Sequence, residues 1–225
     1  MKGEKDLPFE LRAIIFDLDG VLVDSEDLHT RAKVSTLAHF GLQSPPQLFD
    51  QFKGRTDAMF FQELLSQNPH WDIHWKTLVS YKTQEFIRLY PELKPIPGAK
   101  DFIQTALTRS LSLAVVTSAT ERSQEVAFDL LNLRESFSVV INASHVNNHK
   151  PHPEPYLLAK DKLGPELSNH SLVIEDSPSG IQAAKAAGLF VIGITTTFPS
   201  TLLKKAGADH ITESYSNLKA KLFKI

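Results

Sequence analysis

The chain of 225 residues contains no cysteine. This absence excludes disulfide bonds, cysteine nucleophiles and thiolate zinc sites, and it suits a reducing compartment. An excess of charge of one sign is also missing, because 24 basic and 26 acidic side chains leave a formal net charge of −2. We therefore expect no basic surface for nucleic acid or for an anionic membrane.

Long apolar runs are absent as well. No segment approaches the roughly 20 apolar residues that cross a bilayer. The first twelve residues, MKGEKDLPFELR, are charged and lack the apolar centre of a secretory signal. These features predict a cytoplasmic protein without a membrane partner. The chain is nevertheless 42% hydrophobic, which is enough for a substantial core.

Short apolar segments that favour β-strands recur along the chain. They show no polar alternation, as is typical of parallel strands covered on both faces. These segments are residues 13–16, 113–117, 138–142, 172–175, 190–194 and 210–212. Helical patterns follow three of them, at residues 122–133, 154–164 and 178–188. The alternation predicts a doubly wound, Rossmann-like α/β fold around a parallel sheet.

One long interval interrupts this alternation. Residues 26–91 contain helical patterns but no convincing strand, and the Pro/Gly-rich segment PELKPIPG follows them. We interpret the interval as a small helical insert between two linkers. The predicted organisation is an α/β core domain of residues 1–25 and 92–225, with a helical cap domain of residues 26–91.

Polar side chains follow the first four predicted strands. Ligands of open parallel sheets bind beyond the carboxyl ends of the strands, near the point where the winding reverses. The residues at these ends are Asp17 and Asp19, Thr117 and Ser118, Lys150, and Glu175 with Asp176. Oxygen ligands of this kind suit Mg²⁺, and a cation would remove the repulsion between neighbouring carboxylates. Hydroxyl groups and an ammonium group can hold phosphate.

Each of these residues also has an ordinary structural interpretation. Ser118 begins a Ser-x-x-Glu pattern and could cap a helix. Asp176 or Ser177 could cap the helix that begins at Pro178. Lys150 could be a surface lysine. The joint occurrence of these residues at successive strand ends favours a site for phosphoryl transfer, in which an aspartate acts as nucleophile and a second carboxyl handles the proton.

Four segments resemble the motifs of the haloacid dehalogenase superfamily, in the order found in that family. FDLDGVLVDSE (16–26) resembles the first motif and VVTSA (115–119) the second. KPHPEPY (150–156) resembles the third motif and IEDSPSGIQAAKAAG (174–188) the fourth. The resemblance covers the whole chain. It is closest to the subgroup with a small helical cap, the phosphatases and sugar-phosphate mutases similar to β-phosphoglucomutase.

This resemblance implies a role for each matching residue. Asp17 would be the nucleophile and a Mg²⁺ ligand, and Asp19 the general acid and base, with its backbone carbonyl on Mg²⁺. Glu175 and Asp176 would complete the metal shell. The residues expected to contact the transferred phosphate are Thr117, Ser118 and Lys150.

The resemblance also implies the reaction. We expect a Mg²⁺-dependent phosphatase that hydrolyses a small phosphorylated metabolite, such as a sugar phosphate, through an aspartyl-phosphate. Two alternatives remain, a sugar phosphomutase and a binding protein without activity on the same fold. The chain is expected to be a monomer or a dimer.

The predicted cap contributes further candidates. FKGRTDAM (52–59) resembles the substrate-facing loop of the family, in which Gly54 would form a tight turn. Arg55 would bind a polar or phosphorylated group of the substrate or lie exposed. The mutase pattern has an arginine where this chain has Asp57. An acid at this position would repel the second phosphate of a bisphosphate intermediate.

Two basic residues of the cap have open interpretations. Lys82 interrupts an apolar helical stripe that includes Trp75 and Phe86. It would either extend along the core with its ammonium group in water or reach into the cleft toward substrate. His29 matches a position that is often histidine in the subgroup, although by itself it fits an ordinary helical residue.

Overall fold

A computed structural model describes residues 7–53 and 55–224 of the chain. Its central sheet has six parallel strands in the order β5-β4-β1-β6-β7-β8. These strands are β1 (Ala13–Phe16), β4 (Ser112–Val116), β5 (Val139–Ile141), β6 (Ser171–Glu175), β7 (Phe190–Ile194) and β8 (His210–Thr212). The winding direction reverses between β1 and β6, which are direct neighbours. The predicted doubly wound α/β fold is confirmed.

Helices cover both faces of the sheet. They are α5 (Ala99–Thr108), α6 (Glu121–Leu131), α7 (Glu154–Leu163), α8 (Pro165–Ser168), α9 (Pro178–Ala186), α10 (Ser200–Ala206) and α11 (Tyr215–Phe223). One apolar cluster joins Phe16, Phe102 and Tyr215 on the first face. A second cluster joins Tyr156, Ile181 and Leu203 on the other. The strands are apolar on both sides because both sides are buried.

Four helices form the insert between the first strand and the rest of the sheet. They are α1 (Glu26–His39), α2 (Pro46–Gln51), α3 (Asp57–Ser66) and α4 (Trp75–Arg88). A separate apolar cluster holds them together and includes Phe60, Phe61 and Leu78. No strand occurs in residues 26–53 or 55–91. The boundaries of the two predicted domains stay a prediction.

The two linkers of the insert pair with each other. A short ribbon is formed by β2 (Val23–Asp24) and β3 (Lys94–Pro95), which run antiparallel. The guanidinium group of Arg31 then binds both carboxylate oxygens of Glu92, at 2.6 and 2.9 Å. The chain therefore leaves the sheet layer and returns to it at adjacent points. The sequence did not predict this ribbon.

The observed bounds of the elements differ from the predicted ones by one or two residues. The first helix after β4 covers Glu121–Leu131 rather than 122–133, because Asn132 adopts a left-handed conformation with φ of 53°. The segments 13–16, 190–194 and 210–212 are strands with the predicted bounds. Among the residues that the structure describes, no helix combines the length and apolar character needed to span a membrane.

Candidate active site

Asp17 and Lys150 meet at the carboxyl end of β1. Asp17 follows the strand directly, and its backbone N–H donates to the carbonyl of Ile174 in β6. The ammonium group of Lys150 donates to Asp17 Oδ1 at 2.6 Å and to the carbonyl oxygen of Val116 at 2.9 Å. Lys150 is 2% exposed. The interpretation of Lys150 as a surface lysine is therefore wrong.

Two carboxylates share the single charge of Lys150, because its ammonium group also lies 2.7 Å from Glu175 Oε1. Burial opposes the charge on Lys150, but Asp17 and Glu175 outweigh it and raise the pKa of this lysine. Burial also raises the pKa of Asp17 well above its ordinary value. Lys150 acts in the opposite sense there, whereas Glu175 and Asp19 add to the increase. The cluster therefore holds an excess of negative charge.

Both carboxylate oxygens of Glu175 are occupied. Oε1 accepts from Lys150 and from the hydroxyl of Tyr156. Oε2 accepts from the backbone N–H groups of Asp176 and Ser177 and from the Ser177 hydroxyl. A Cβ at Gly180 would lie 1.7 Å from Glu175 Oε1, so glycine makes room for this carboxylate. A metal ion could bind Glu175 only by displacing these bonds, and its predicted role as a ligand stays untested.

Asp176 faces the cleft from the end of β6. Burial raises the pKa of Asp176 well above its ordinary value, and Glu175 and Asp17 add to the increase. A Cβ at Gly20 would lie 1.9 Å from Asp176 Oδ2, and the φ of Gly20 is +76°. Glycine is thus required at position 20 for two reasons, which are the left-handed turn and the close approach of the Asp176 carboxylate.

Thr197 also contacts Asp176, through a side-chain hydrogen bond. Sequence reasoning missed this residue because it considered the ends of only four strands. Thr197 lies three residues after β7 (Phe190–Ile194). The same rule of strand ends, applied to β7 and the TTT segment after it, would have found the residue.

Asp17 and Asp176 fit a divalent cation. Besides burial, Glu175 and Asp17 raise the pKa of Asp176, and Glu175 and Asp19 raise that of Asp17, which is the expected behaviour of neighbouring carboxylates that lack a cation between them. Residues 7–53 and 55–224 contain no ready-made cluster of three or more acidic or histidine ligands. Mg²⁺ needs no such cluster, since it commonly takes one or two carboxylates together with waters and substrate phosphate.

Asp19 is held by two polar groups of the insert and its linker. Its Oδ1 accepts from the hydroxyl of Ser25 at 2.5 Å and lies 3.1 Å from Nε2 of His29. Burial opposes ionisation of Asp19, but His29 and Ser25 outweigh it and lower the pKa of the carboxyl. The structure thus brings the second predicted catalytic acid to the boundary between the sheet and the insert.

Thr117 and Ser118, the two residues predicted to bind phosphate after β4, do not cap the helix that follows. Thr120, and not Ser118, caps α6 by accepting from the backbone N–H of Ser123. Ser118 lines the cleft instead. Thr117 is buried, and its hydroxyl oxygen accepts from the N–H of Ala119 at 3.0 Å.

A similar result holds after β6. Ser177 caps α9 by accepting from the N–H of Gly180, which leaves the carboxylate of Asp176 available to the cleft. The interpretations of Ser118 and Asp176 as helix caps are therefore wrong.

The side chain of Lys82 adopts neither of the two predicted arrangements. Its side chain is 1% exposed, so its ammonium group does not lie in water. The ammonium group is 2.7 Å from Asp57 Oδ2 and 2.5 Å from Nδ1 of His29. It also lies over the ring of Phe86, which stacks on His29. Lys82 is not among the residues that line the cleft and stands behind His29 and Asp57.

The cleft between sheet and insert opens to solvent, and its empty space, open solvent included, is about 540 Å³. From the core it is lined by Asp17, Asp19, Ser118 and Asp176, and from the insert by Glu26, His29, Lys33, Phe52, Lys53, Arg55 and Asp57. Arg55 is exposed, with its guanidinium carbon 5.6 Å from the centre of the Phe52 ring. The predicted turn at Gly54 lies outside the described residues. Thus Arg55 faces the cleft as predicted, whereas Lys82 does not.

Comparisons with known proteins agree on one family. The model of the haloacid dehalogenase-like hydrolases matches residues 14–194. The fructose-1-phosphate phosphatase YqaB of Escherichia coli is 32% identical over 183 residues, which cover 80% of this chain and 95% of that protein. A phosphorylated carbohydrates phosphatase of Thermotoga maritima is 31% identical over 182 residues, 80% of this chain and 82% of that protein.

A plant protein matches over a longer part of the chain. SUPPRESSOR OF QUENCHING 1 of Arabidopsis thaliana, which is named as chloroplastic, is 30% identical over 217 residues. These residues cover 93% of this chain, but the chain spans only 20% of the length of that protein.

Solved structures show the same fold. CbbY of Rhodobacter sphaeroides in complex with phosphate is 28% identical, with a TM-score of 0.82 over 95% of this chain and 99% of that chain. A β-phosphoglucomutase of Thermotoga maritima, assigned provisionally in its description, is 27% identical, with a TM-score of 0.72 over 95% of this chain and 98% of that chain.

Proposed function

Because the chain belongs to the haloacid dehalogenase-like hydrolases, we propose that it is a Mg²⁺-dependent phosphatase acting on a small phosphorylated metabolite, a sugar phosphate. The predicted family is confirmed, and so is the predicted class of enzyme, a phosphoric monoester hydrolase, since the similar proteins are named phosphatases. Mg²⁺, the chemical steps and the type of substrate are parts of the proposal.

One observation carries the proposal. The carboxylate of Asp17 lies in the cleft, is held at 2.6 Å by the buried ammonium group of Lys150, and has a second acid, Asp176, facing the same cleft. A carboxylate fixed in this way can act as a nucleophile toward a phosphate ester. The lysine offsets negative charge that would otherwise repel the ester.

The reaction proceeds in two halves. An oxygen of Asp17 attacks the phosphorus atom, the bond from phosphorus to the ester oxygen breaks, and Asp19 in its acid form gives that oxygen a proton. Asp19 then takes a proton from water, and the water oxygen attacks the phosphorus atom. The bond to Asp17 breaks, and inorganic phosphate leaves with both aspartates restored.

The environment of Asp19 suits these two halves. Its lowered pKa keeps the resting side chain ionised, as the water-activating half requires. The negative charge of an arriving phosphate ester raises the pKa of a nearby carboxyl, which favours the acid form needed to protonate the leaving group.

Asp17 and Asp176, with the backbone carbonyl of Asp19, would hold Mg²⁺. The ion supplies positive charge beside the phosphate and beside the two carboxylates. Thr117 and Ser118 would bind the transferred phosphate, and Arg55 the remainder of the substrate. Glu175 holds Lys150 in place.

The insert completes the proposal. Residues 26–91 form a cap domain that, with the core of residues 1–25 and 92–225, encloses a small metabolite and excludes bulk water. The charged and polar side chains that line this cleft from both sides suit a small polar molecule. A cytoplasmic location, the absence of nucleic-acid or membrane partners, and a monomeric or dimeric state stay predictions.

A phosphate-release screen tests the function. The purified chain is assayed with several dozen phosphorylated metabolites, once with MgCl₂ and once with EDTA, and the substrates are ranked by kcat/KM. We expect phosphate release from at least one sugar phosphate with Mg²⁺ and none with EDTA. Release that is equal under both conditions, or absent from the whole panel, contradicts the proposal.

A sugar phosphomutase is the second candidate, favoured by the similarity to the structure described as a β-phosphoglucomutase. Such an enzyme would return the phosphate to another hydroxyl group of the sugar. Conversion of one isomer into another without net phosphate release, followed by phosphorus NMR, would favour it over the phosphatase.

A further inference from the structure

Five polar or charged side chains contact one another in sequence, from the insert to the turn after β1. Lys33 Nζ lies 3.5 Å from Asp57 Oδ1, and Asp57 Oδ2 lies 2.7 Å from Lys82 Nζ. Lys82 contacts Nδ1 of His29, and Nε2 of His29 contacts Oδ1 of Asp19. The members come from three helices and from the turn after β1. We call this set the charge chain.

The hydrogen-bond roles of His29 follow from its two contacts. Lys82 has only hydrogen atoms to give, so Nδ1 of His29 accepts. Nε2 of His29 then donates to Asp19. Besides this imidazole, the charge chain holds two lysines and two aspartates, whose charges are equal in number and opposite in sign.

Asp57 is the link on which this balance depends. It is the acid that contacts both lysines, and its side chain is 16% exposed. Burial opposes its ionisation, but Lys82 and Lys33 outweigh it and lower the pKa of Asp57. Asp57 is thus a charged acceptor that lines the cleft while it neutralises the lysines beside it.

Because its charges are balanced, the charge chain discriminates between substrates that differ in their leaving group. The wall presents donors and acceptors in alternation, which suits hydroxyl groups since each hydroxyl both donates and accepts. A second phosphate would bring two negative charges next to Asp57 and Glu26, and both lysines already have a counter-ion. A desolvated anion without a free partner is strongly disfavoured.

We propose that Asp57, as the shared counter-ion of Lys33 and Lys82, is a specificity-determining residue that restricts the cleft to monophosphates of uncharged polyhydroxy compounds. This inference rests on the proposed function, because it concerns the substrate of the same site. It assigns the polyhydroxy part of the substrate to the charge chain and the phosphate to the strand ends.

Arg55 provides the competing explanation. Among the described residues of the cleft, Lys53 lies 3.3 Å from Asp50, whereas no acid within 4.0 Å is found for the guanidinium group of Arg55. A second phosphate could therefore bind at this rim residue. In that case Arg55, and not Asp57, would determine the preference between monophosphates and bisphosphates.

Binding to a variant without its nucleophile tests the inference directly. Asp17→Asn protein with MgCl₂ is titrated in a calorimeter with two matched pairs of compounds, glucose 1-phosphate with glucose 1,6-bisphosphate, and fructose 1-phosphate with fructose 1,6-bisphosphate. We expect at least one monophosphate to bind roughly tenfold more tightly than its bisphosphate, the scale of one unfavourable charge contact in a partly screened cleft.

Three further substitutions in the same background sharpen the test. Asp57→Asn should reduce the monophosphate preference roughly tenfold, because one negative charge is removed. Lys33→Gln should increase the preference, because a positive charge is removed at the end of the charge chain that lines the cleft. Asp72→Asn, the control with the same loss of an acid from the insert, lies at an exposed position and should leave the preference unchanged. Thermal unfolding checks that each variant is folded.

Several outcomes would overturn the inference. They are tighter binding of a bisphosphate, binding of neither monophosphate, and an unchanged preference in both Asp57→Asn and Lys33→Gln. Arg55→Gln is measured in the same background, and a preference that changes only in this variant would also overturn the inference. If Asp57→Asn does not fold, the increased preference for the monophosphate expected for Lys33→Gln still tests the inference. Phosphate release by the wild-type chain is measured separately, so failure of the proposed function is distinguished from failure of this inference.

Discussion

The core wall and the insert wall of the cleft differ in how their buried charges are balanced. On the core side, Asp17, Glu175 and Asp176 are buried with one cation, Lys150, so negative charge remains. On the insert side, each charged group of the charge chain has a partner of opposite sign or an imidazole. The core wall therefore favours an added cation, whereas the charge chain of the insert wall is balanced by itself.

This difference assigns the reaction to the core wall and the choice of substrate to the insert wall. An incomplete, strongly polar wall attracts a metal ion and a phosphate and polarises the ester. A complete wall adds little to the reaction but disfavours any ligand group that would disturb its balance. Substitutions on the core side should therefore mainly change turnover and metal affinity, whereas those on the insert side should mainly change the choice of substrate. Four experiments test this contrast.

The largest expected effect is the loss of the nucleophile. Asp17→Asn should lower kcat for the best substrate roughly 10⁴- to 10⁶-fold, as removal of a nucleophile does in other enzymes that form covalent intermediates. Asp24→Asn, an exposed acid in the linker ribbon, is the matched control and should retain wild-type turnover. A variant at Asp17 that kept full activity would refute the role of this residue.

The next effect concerns the shared cation of the core wall. Lys150→Met leaves Asp17 and Glu175 without their counter-ion, and loss of one partner from a buried ion pair costs about 3–5 kcal/mol of the free energy of unfolding. Urea denaturation at neutral pH measures this loss. Lys162→Met, at an exposed lysine of α7, serves as control. A change below about 1 kcal/mol would mean that the core wall tolerates its acids unpaired.

The insert wall is tested through pH. The pKa of Asp57 is lowered from its ordinary value of 3.8, so Asp57 stabilises the fold above that value and loses this contribution as the pH falls below it. Asp57→Asn should therefore be less stable than wild type by about 1.5–3 kcal/mol at pH 7. This difference should shrink below pH 3.8.

Urea denaturation at several pH values follows that difference. Asp72→Asn, an exposed acid of the insert, provides the control without charged partners in the cleft. A difference between wild type and Asp57→Asn that stays constant with pH would show that the ion pairs of Asp57 do not stabilise the insert.

The smallest expected effect concerns Thr197, which supports the core wall from outside. Thr197→Val removes the hydrogen bond to Asp176 and should weaken Mg²⁺ binding by roughly tenfold, as loss of outer partners of metal ligands often does. Calorimetric titration with MgCl₂ measures the change, and Thr201→Val at an exposed position is the control. Equal Mg²⁺ affinity in both variants would leave Thr197 without a role at the metal site.

The core wall could be predicted from the sequence because parallel strands bring their ends together regardless of distance along the chain. Asp17 and Lys150 are 133 positions apart and still form an ion pair. The rule of strand ends therefore identified both residues. It did not reveal that Glu175 is occupied by Lys150 and backbone N–H groups, because hydrogen-bond partners depend on side-chain orientation rather than on the order of elements.

The insert wall was less predictable for a physical reason. Lys33, Asp57 and Lys82 come from three different helices, and their contacts depend on how these helices cross. A lysine within an apolar stripe indicated only that Lys82 was unusual. The sequence had no means of showing that its partner is Asp57, the same residue that departs from the mutase pattern.

The paired linkers have a consequence for how this protein can change over evolutionary time. Because β2 and β3 lie side by side, about 4.8 Å separates the two points at which the helical segment is attached. A segment of quite different length or helix number could occupy that position without altering the register of the six-stranded sheet. Substrate preference can thus diversify by exchange of a single module, while the chemistry at the strand ends is inherited intact.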